Sequence, residues 1–330
     1  MPPRGPGRRH PHVAVVTDST AALPPGAAER WGIRVVPLQV LVDGAPLVAP
    51  DLAAATLAAL LRGARVTTSQ PAPAQFADAY AAAAAAGASA VVSVHLSGEL
   101  SGTVTAARSA AERAPLPVHV VDSRTAAMAL GYAALAAAWT AGGTPAREAL
   151  VLGAPAQAGR GPRWHVPRVG RERGTRPEAD ADVVAAAARA TAESCRVWFL
   201  VDSLEHLRRG GRLGAAAAAL GTVLGLRPLL TVQDGRLVVA EKIRTRRAAL
   251  DRLVTVATTA ATARPGARIA VHHADRAEAA GELARRLAET TRESARELVV
   301  TAAGAVLTAH VGPGLLAVVV CGDDDAAEPR

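Results

Sequence analysis

Two hydroxyl-rich segments offer the most chemistry in this chain. Thr67-Thr68-Ser69-Gln70-Pro71 follows one apolar run, and the stretch Ser93 to Thr103, SVHLSGELSGT, forms part of another; both lead into helical sequence. In the second, Ser-Gly occurs twice, at Ser97-Gly98 and Ser101-Gly102. Hydroxyls and bare backbone N–H groups at the start of a helix make a site for a small anion, a phosphate or a carboxylate. A second pattern recurs: Asp18-Ser19, Asp122-Ser123 and Asp202-Ser203 each end an apolar strand before a helix. Asp and Ser cap helices by accepting from the first N–H groups. Strand ends of this kind also line the ligand crevice of open α/β sheets. Both uses stand for Asp18-Ser19; for Asp202-Ser203 capping is the reading.

Bond breaking is the competing use of the same hydroxyls. Ser97 or Ser101 could attack an acyl group with His310 as base, which makes a Ser/His acyl hydrolase the alternative. The chain holds no Gly-x-Ser-x-Gly elbow and no Ser-x-x-Lys motif. Asp18 has no partner carboxylate in its motif, so acid/base work is not indicated. No Walker A loop is present, and Gly210-Gly211-Arg212 lacks the phosphate-loop pattern, so ATP is not an expected ligand. His272-His273-Ala274-Asp275 is a poor metal site, because adjacent strand residues face opposite ways. His95 reads as a strand-end residue with no role. No catalytic residue, metal or cofactor is expected.

The elements that must position these residues follow from composition and pattern. At 330 residues, half of them hydrophobic, the chain can bury a sizeable core in two domains or one large one. Much of that half is Ala, which contributes little burial per residue. Aromatics make up 2%, too few for the stacking platforms that bind single-stranded nucleic acid. The formal net charge is +8, almost all positive charge being Arg, with Lys242 the lone lysine. That balance favours acidic partners or transient contact with an anionic membrane surface. No nucleic-acid-binding motif accompanies it, so no nucleic-acid partner is expected. Cys195 and Cys321 lie far apart and form no recognisable metal or redox motif, which fits a reducing cytosol and argues against a disulfide framework. The first residues, MPPRGPGRRHPH, have no apolar core of a signal peptide, and the Ala-rich runs are too weak to span a membrane. A cytoplasmic protein is the expectation.

Along the chain, strand and helix alternate. Strands are predicted at 13–17, 35–42, 90–95 and 118–121, with helices at 51–62, 74–86, 103–114 and 126–140. After residue 181 the pattern predicts helices at 182–193, 204–209, 215–223, 246–262 and 277–290. Strands are predicted at 196–201, 268–272, 298–301 and 315–320, and a hairpin about Gln233-Asp234-Gly235. The fold class is therefore α/β, two domains with mostly parallel sheets. Residues 1–11 read as a disordered leader and 12–150 as the N-terminal domain. Residues 151–180, rich in Arg, Pro and Gly, read as a linker or insertion, 181–322 as the C-terminal domain, and 323–330 as a tail.

Several segments together resemble the DegV family of bacterial fatty-acid-binding proteins. VAVVTDSTAALPP is similar to its opening strand and Asp-Ser loop, and VVPLQVLVDG to its second strand. VTTSQPAPAQFADAY resembles its Thr-Ser-Gln-Pro loop and VHLSGELSGTVTAA its Leu-Ser-Gly-Thr loop. LEHLRRGGRL and AHVGPGL are similar to its Gly-Gly-Arg segment and His-x-Gly-Pro-Gly turn. These fall in family order and cover nearly the whole chain outside 153–180. Val104 stands where the family often has an aromatic. The resemblance implies a long-chain fatty acid in an apolar tunnel, with its carboxylate bound by Thr68, Ser69 and Ser101. Gly102 would allow close backbone approach, and His310 would sit nearby. Asp18, Ser19 and Ser97 are additional candidates. It further implies a carrier rather than an enzyme, with a fatty-acid kinase as partner that phosphorylates the bound acid. Arg212 and Arg244, at family-matching positions, would meet that partner or the phosphate.

Overall fold

The run HVAVVTD has β-branched residues at alternate positions, which suits a pleated strand buried on both faces. In the computed structural model, which describes residues 12–142, 180–213 and 227–322, it forms β1 (His12–Asp18). Next come α1 (Ala27–Arg30), β2 (Ile33–Val36), β3 (Gln39–Val42), β4 (Ala45–Pro46) and α2 (Leu52–Leu61). They are followed by β5 (Val66–Ser69), α3 (Pro73–Ala85), β6 (Ala88–His95), α4 (Thr103–Ala111), β7 (Val118–Asp122) and α5 (Met128–Thr140). A parallel sheet of order β2-β1-β6-β7 results, as the alternation predicts. Val16 faces a core with Phe76, Tyr80 and Ala107, from α3 and α4. Val13 and Val15 face the opposite core, with Met128 and Leu130 of α5.

The second half contains α6 (Ala181–Ser194), β8 (Arg196–Leu200), α7 (Glu205–Arg209), β9 (Leu229–Gln233), β10 (Arg236–Glu241) and α8 (Arg246–Thr262). It continues with β11 (Ala267–His273), α9 (Ala277–Thr290), β12 (Ala295–Ala302), α10 (Gly304–Val311) and β13 (Leu316–Cys321). Its six strands take the order β10-β9-β8-β13-β11-β12. Only β11 and β12 pair in parallel; the other four pairings are antiparallel. The α/β reading holds, but the expectation of mostly parallel strands fails for this sheet. The Asp234-Gly235 hairpin forms as predicted; the departure lies in β8 pairing antiparallel with β9 and in β13 returning antiparallel between β8 and β11. One face of the sheet packs α8 and α9 through Leu253, Leu283 and Leu287. The other face shares the core of α5, α6 and the first sheet. All residues from Met128 to Ala138 of α5 are buried. A helix apolar on every side belongs between two layers, and each large side chain it buries contributes about 1.5–3 kcal/mol.

Three other expectations change. The predicted strand 35–42 is two strands in two sheets, because Pro37 cannot donate to a ladder and breaks the run. β3 pairs antiparallel with β5, so Thr68 lies on a strand rather than in a pre-helical loop. Residues 304–311, left between strands by the pattern, form α10. The leader 1–11, residues 151–179 of the linker, helix 215–223 and the tail 323–330 lie outside the described residues.

Candidate ligand-binding site

Where the two halves meet there is a cavity of about 360 Å³, within the range of roughly 300–1,000 Å³ for small-molecule sites. Leu38, Leu96 and Leu100 line it from the first half; Val197, Phe199, Leu207, Val306 and Leu315 do so from the second. Thr68, Ser69, Gln70, Ser101, Gly102, Arg212 and His310 also line it. These polar groups are linked in part to one another. Thr68 Oγ1 and His310 Nε2 are 2.8 Å apart. Arg212 bears on His310 electrostatically, and its Nε donates to the Leu100 carbonyl at 3.1 Å. Leu100 leads into Ser101 and Gly102, and a Cβ on Gly102 would collide with the Gln70 amide. Gln70 returns to Ser69 and Thr68. Both hydroxyl segments thus reach the wall of one largely apolar cavity.

Local structure sets each group. β5 ends at Ser69, whose Oγ donates to Gln39 Oε1 on β3 at 3.3 Å. Ser101 stands two residues before α4 and meets Thr103 Oγ1 at 2.9 Å. His310 lies in the last turn of α10, against Gly210; a Cβ there would come 2.8 Å from its Nδ1. Burial, reinforced by the Arg212 charge, pushes His310 down to about 4. It is therefore neutral at physiological pH, and the Thr68 contact joins two uncharged groups. The cation of the site is Arg212.

Some sequence-predicted residues lie elsewhere. Ser97 is fully buried outside the cavity lining; its Oγ donates to the Gly235 carbonyl at 2.8 Å and ties the first half to the β9–β10 hairpin. Ser19 Oγ accepts from Leu38 N at 3.0 Å, fixing the chain between β2 and β3. Arg244 is exposed and lines no part of the cavity. Asp18 is fully buried and outside the lining: it accepts from Thr20 N and Leu96 N, both at 3.0 Å, from Thr20 Oγ1, and from His95.

His95, read as having no role, is the centre of a buried chain. Its Nδ1 is 3.1 Å from Asp18 Oδ2 and its Nε2 is 2.7 Å from Ser93 Oγ. The order Ser-His-Asp is that of a hydrolase triad. Yet all three residues are 0% exposed, and the Tyr80 hydroxyl, pushed up to about 12 by burial, sits 2.9 Å from Ser93 Oγ. No acyl group has a path to that serine. The Ser101–His310 contact a hydrolase needs is also replaced: His310 Nε2 faces Thr68, and Ser101 Oγ faces Thr103.

Sequence reasoning missed Gln70, Thr20 and His272, which also line the cavity. His272 Nε2 accepts from Met128 N at 3.1 Å, capping α5. Its Nδ1 makes no hydrogen bond, although the Thr301 and Ala302 backbone lies close enough to oppose the burial that lowers His272 to about 4. Burial on a strand facing the shared core was the available signal. Among the described residues, no group of three or more His, Cys, Asp or Glu could hold a metal, and no helix is long and apolar enough to cross a membrane.

A family model described as "uncharacterised protein, DegV family" matches residues 12–149 and 174–323. The chain belongs to the DegV family. A DegV domain-containing protein of Streptomyces coelicolor is 45% identical over 94% of this chain and 98% of its own. Among solved structures, the fatty-acid-binding DegV family protein of Thermus thermophilus is 30% identical, with a TM-score of 0.76 over 94% of this chain and 100% of that one. DegV of Bacillus subtilis, a fatty acid binding protein, is 27% identical, with a TM-score of 0.75 over 95% of this chain and 100% of that one.

Proposed function

We propose that this DegV protein binds a long-chain fatty acid, with the carboxylate at the Thr68–Ser101–Arg212 end of the cavity and the chain among its aliphatic walls. The observation that carries the reading is that Thr68, Ser69, Ser101, Arg212 and His310 share the lining of one largely apolar cavity, with Thr68 tied to His310 and Arg212 to the Leu100 carbonyl. The fatty-acid-binding relatives support it. Each charge-assisted hydrogen bond contributes about 1.5–3 kcal/mol, and each buried methylene about 0.8 kcal/mol. Chain length therefore sets affinity, and the polar groups set orientation. The reading extends to a carrier without chemistry of its own, which offers the carboxylate to a fatty-acid kinase subunit for acyl-phosphate formation.

Native mass spectrometry of the purified chain tests the first part. One intact acid per chain is expected, with uptake of palmitic or oleic acid after delipidation. Protein that arrives empty and takes up neither acid removes the reading. For the second part, a fatty-acid kinase given ATP and the loaded protein should yield acyl phosphate, trapped as a hydroxamate.

A further inference from the structure

Cys195 and Cys321, unrelated in the sequence, are brought together by strand register. β8 and β13 pair antiparallel from Leu316 opposite Leu200 to Val320 opposite Arg196. Continued one step past its last pair, this register would set Cys321 opposite Cys195, the residue that caps α6 just before β8. Cys195 keeps an extended backbone, with φ −74° and ψ 148°, so it continues the line of β8. Opposed residues of such a pair have Cα atoms roughly 4.5–5.5 Å apart, inside the window of roughly 4.4–6.8 Å that a disulfide spans. The two side chains also share a face: both belong to the core between the sheets, with Val197 and Val319, while Leu200 and Val320 face the other core.

Their surroundings agree. Cys321 Sγ lies 3.4 Å from the hydroxyl of Ser194, the residue next to Cys195. The Arg268 guanidinium is 3.9 Å from Cys321 Sγ, and both Arg268 and Tyr132 lie close enough to feel the charge of both sulfurs. Both thiols are buried, which disfavours the thiolate, and the neighbouring guanidinium acts in the opposite direction by favouring negative charge on sulfur, the form that reacts.

We propose that Cys195 and Cys321 are a redox-active dithiol that closes to a cross-strand disulfide on exposure to a hydroperoxide. One thiolate attacks the peroxide O–O bond, forming a sulfenic acid and releasing the other oxygen as alkoxide or hydroxide. The second thiolate attacks the sulfenic sulfur; the S–S bond forms and hydroxide leaves. The two sulfurs give up two electrons, and the two thiol protons end on the products: an alcohol and a water, or two waters from hydrogen peroxide. The bond pins the start of β8 to the end of β13, the strands that carry Val197, Phe199 and Ala317 of the cavity wall. This holds whatever the cavity binds.

The test treats the reduced, folded full-length chain with hydrogen peroxide, then alkylates, digests and weighs it. Both thiols should disappear together, with the loss of two hydrogens from the intact mass and a linked Cys195–Cys321 peptide that dithiothreitol releases. The oxidised chain should melt higher, by roughly 5–10 °C. Cys195→Ser and Cys321→Ser should each abolish the linked peptide. Retention of both alkylatable thiols in excess peroxide, added oxygen with no linked peptide, or chain-to-chain dimers would overturn the proposal. If the serine variants fail to fold, the comparison of oxidised and reduced wild type decides alone.

Discussion

His95 and His310 each meet a hydroxyl through Nε2, Ser93 at 2.7 Å and Thr68 at 2.8 Å, yet they sit in regions built for different ends. Around His95 every polar group is used. Its other nitrogen faces Asp18, Asp18 accepts from Thr20 and Leu96 as well, and Ser93 is met by Tyr80. Around His310 the hydroxyls border empty volume, and a guanidinium stands nearby. Residue types alone favour the first set as the reactive one. Saturation and access favour the second as the ligand site. A buried polar chain with every member satisfied specifies and stiffens a core; one facing a cavity has capacity left for a ligand.

The largest expected effect comes from breaking the sealed set. Asp18→Ala leaves Thr20 N, Leu96 N and His95 without their acceptor. Losing a partner in such a buried set costs about 3–5 kcal/mol. Denaturant unfolding should show that loss, while the folded fraction still binds acid at full stoichiometry. A cost below about 1 kcal/mol would break the comparison.

The next effect is pH dependence. His272 and His310 are both held at about 4 in the fold, against about 6.5 in the unfolded chain. Both folded values are depressed, so as pH falls the unfolded chain takes up protons first. Stability from this source is level above about pH 7, declines between about 6.5 and 4, and levels again below. The decline is roughly 3 kcal/mol per histidine at most. His310→Gln should remove its share of the slope in urea titrations across that range. An unchanged slope would show that His310 is more solvated than its position implies.

The smallest effects separate site from scaffold. Thr68→Val and Ser101→Ala should each weaken fatty-acid binding roughly 10–100-fold by calorimetric titration. Ser101→Ala should change stability little, whereas Thr68→Val also leaves His310 Nε2 without its partner and should cost about 1 kcal/mol. Ser97→Ala should do the reverse of Ser101→Ala. Its hydroxyl serves Gly235, so stability drops by about 1 kcal/mol and affinity holds. Equal losses of affinity for Ser97→Ala and Ser101→Ala would erase the distinction.

Much of this was legible in the residues. Thr68, Ser69 and Ser101 announce themselves as hydroxyls beside glycine and proline at the ends of apolar runs, and the first sheet follows from strand–helix alternation. What was hidden depends on pairing across long separations. Arg212 was read as a partner contact, because only the fold brings it beside His310. His95 looked idle because a strand pattern does not say which histidine will meet Asp18. α10 escaped because its apolar run, AVLTAHV, has no polar face to mark a helical period. The antiparallel second sheet escaped because apolar strands look alike in either direction.

The cavity draws Thr68 and Ser101 from one half of the molecule and Arg212, Phe199 and His310 from the other. On the proposed function, an acid lodged there is a brace across the seam as well as a cargo. By mass action, loading stabilises the chain by about 2.7 kcal/mol when free acid is a hundredfold above its dissociation constant. A cell short of fatty acid would thus hold a softer population, more open to proteases, and the abundance of the protein would track lipid supply without any dedicated sensor.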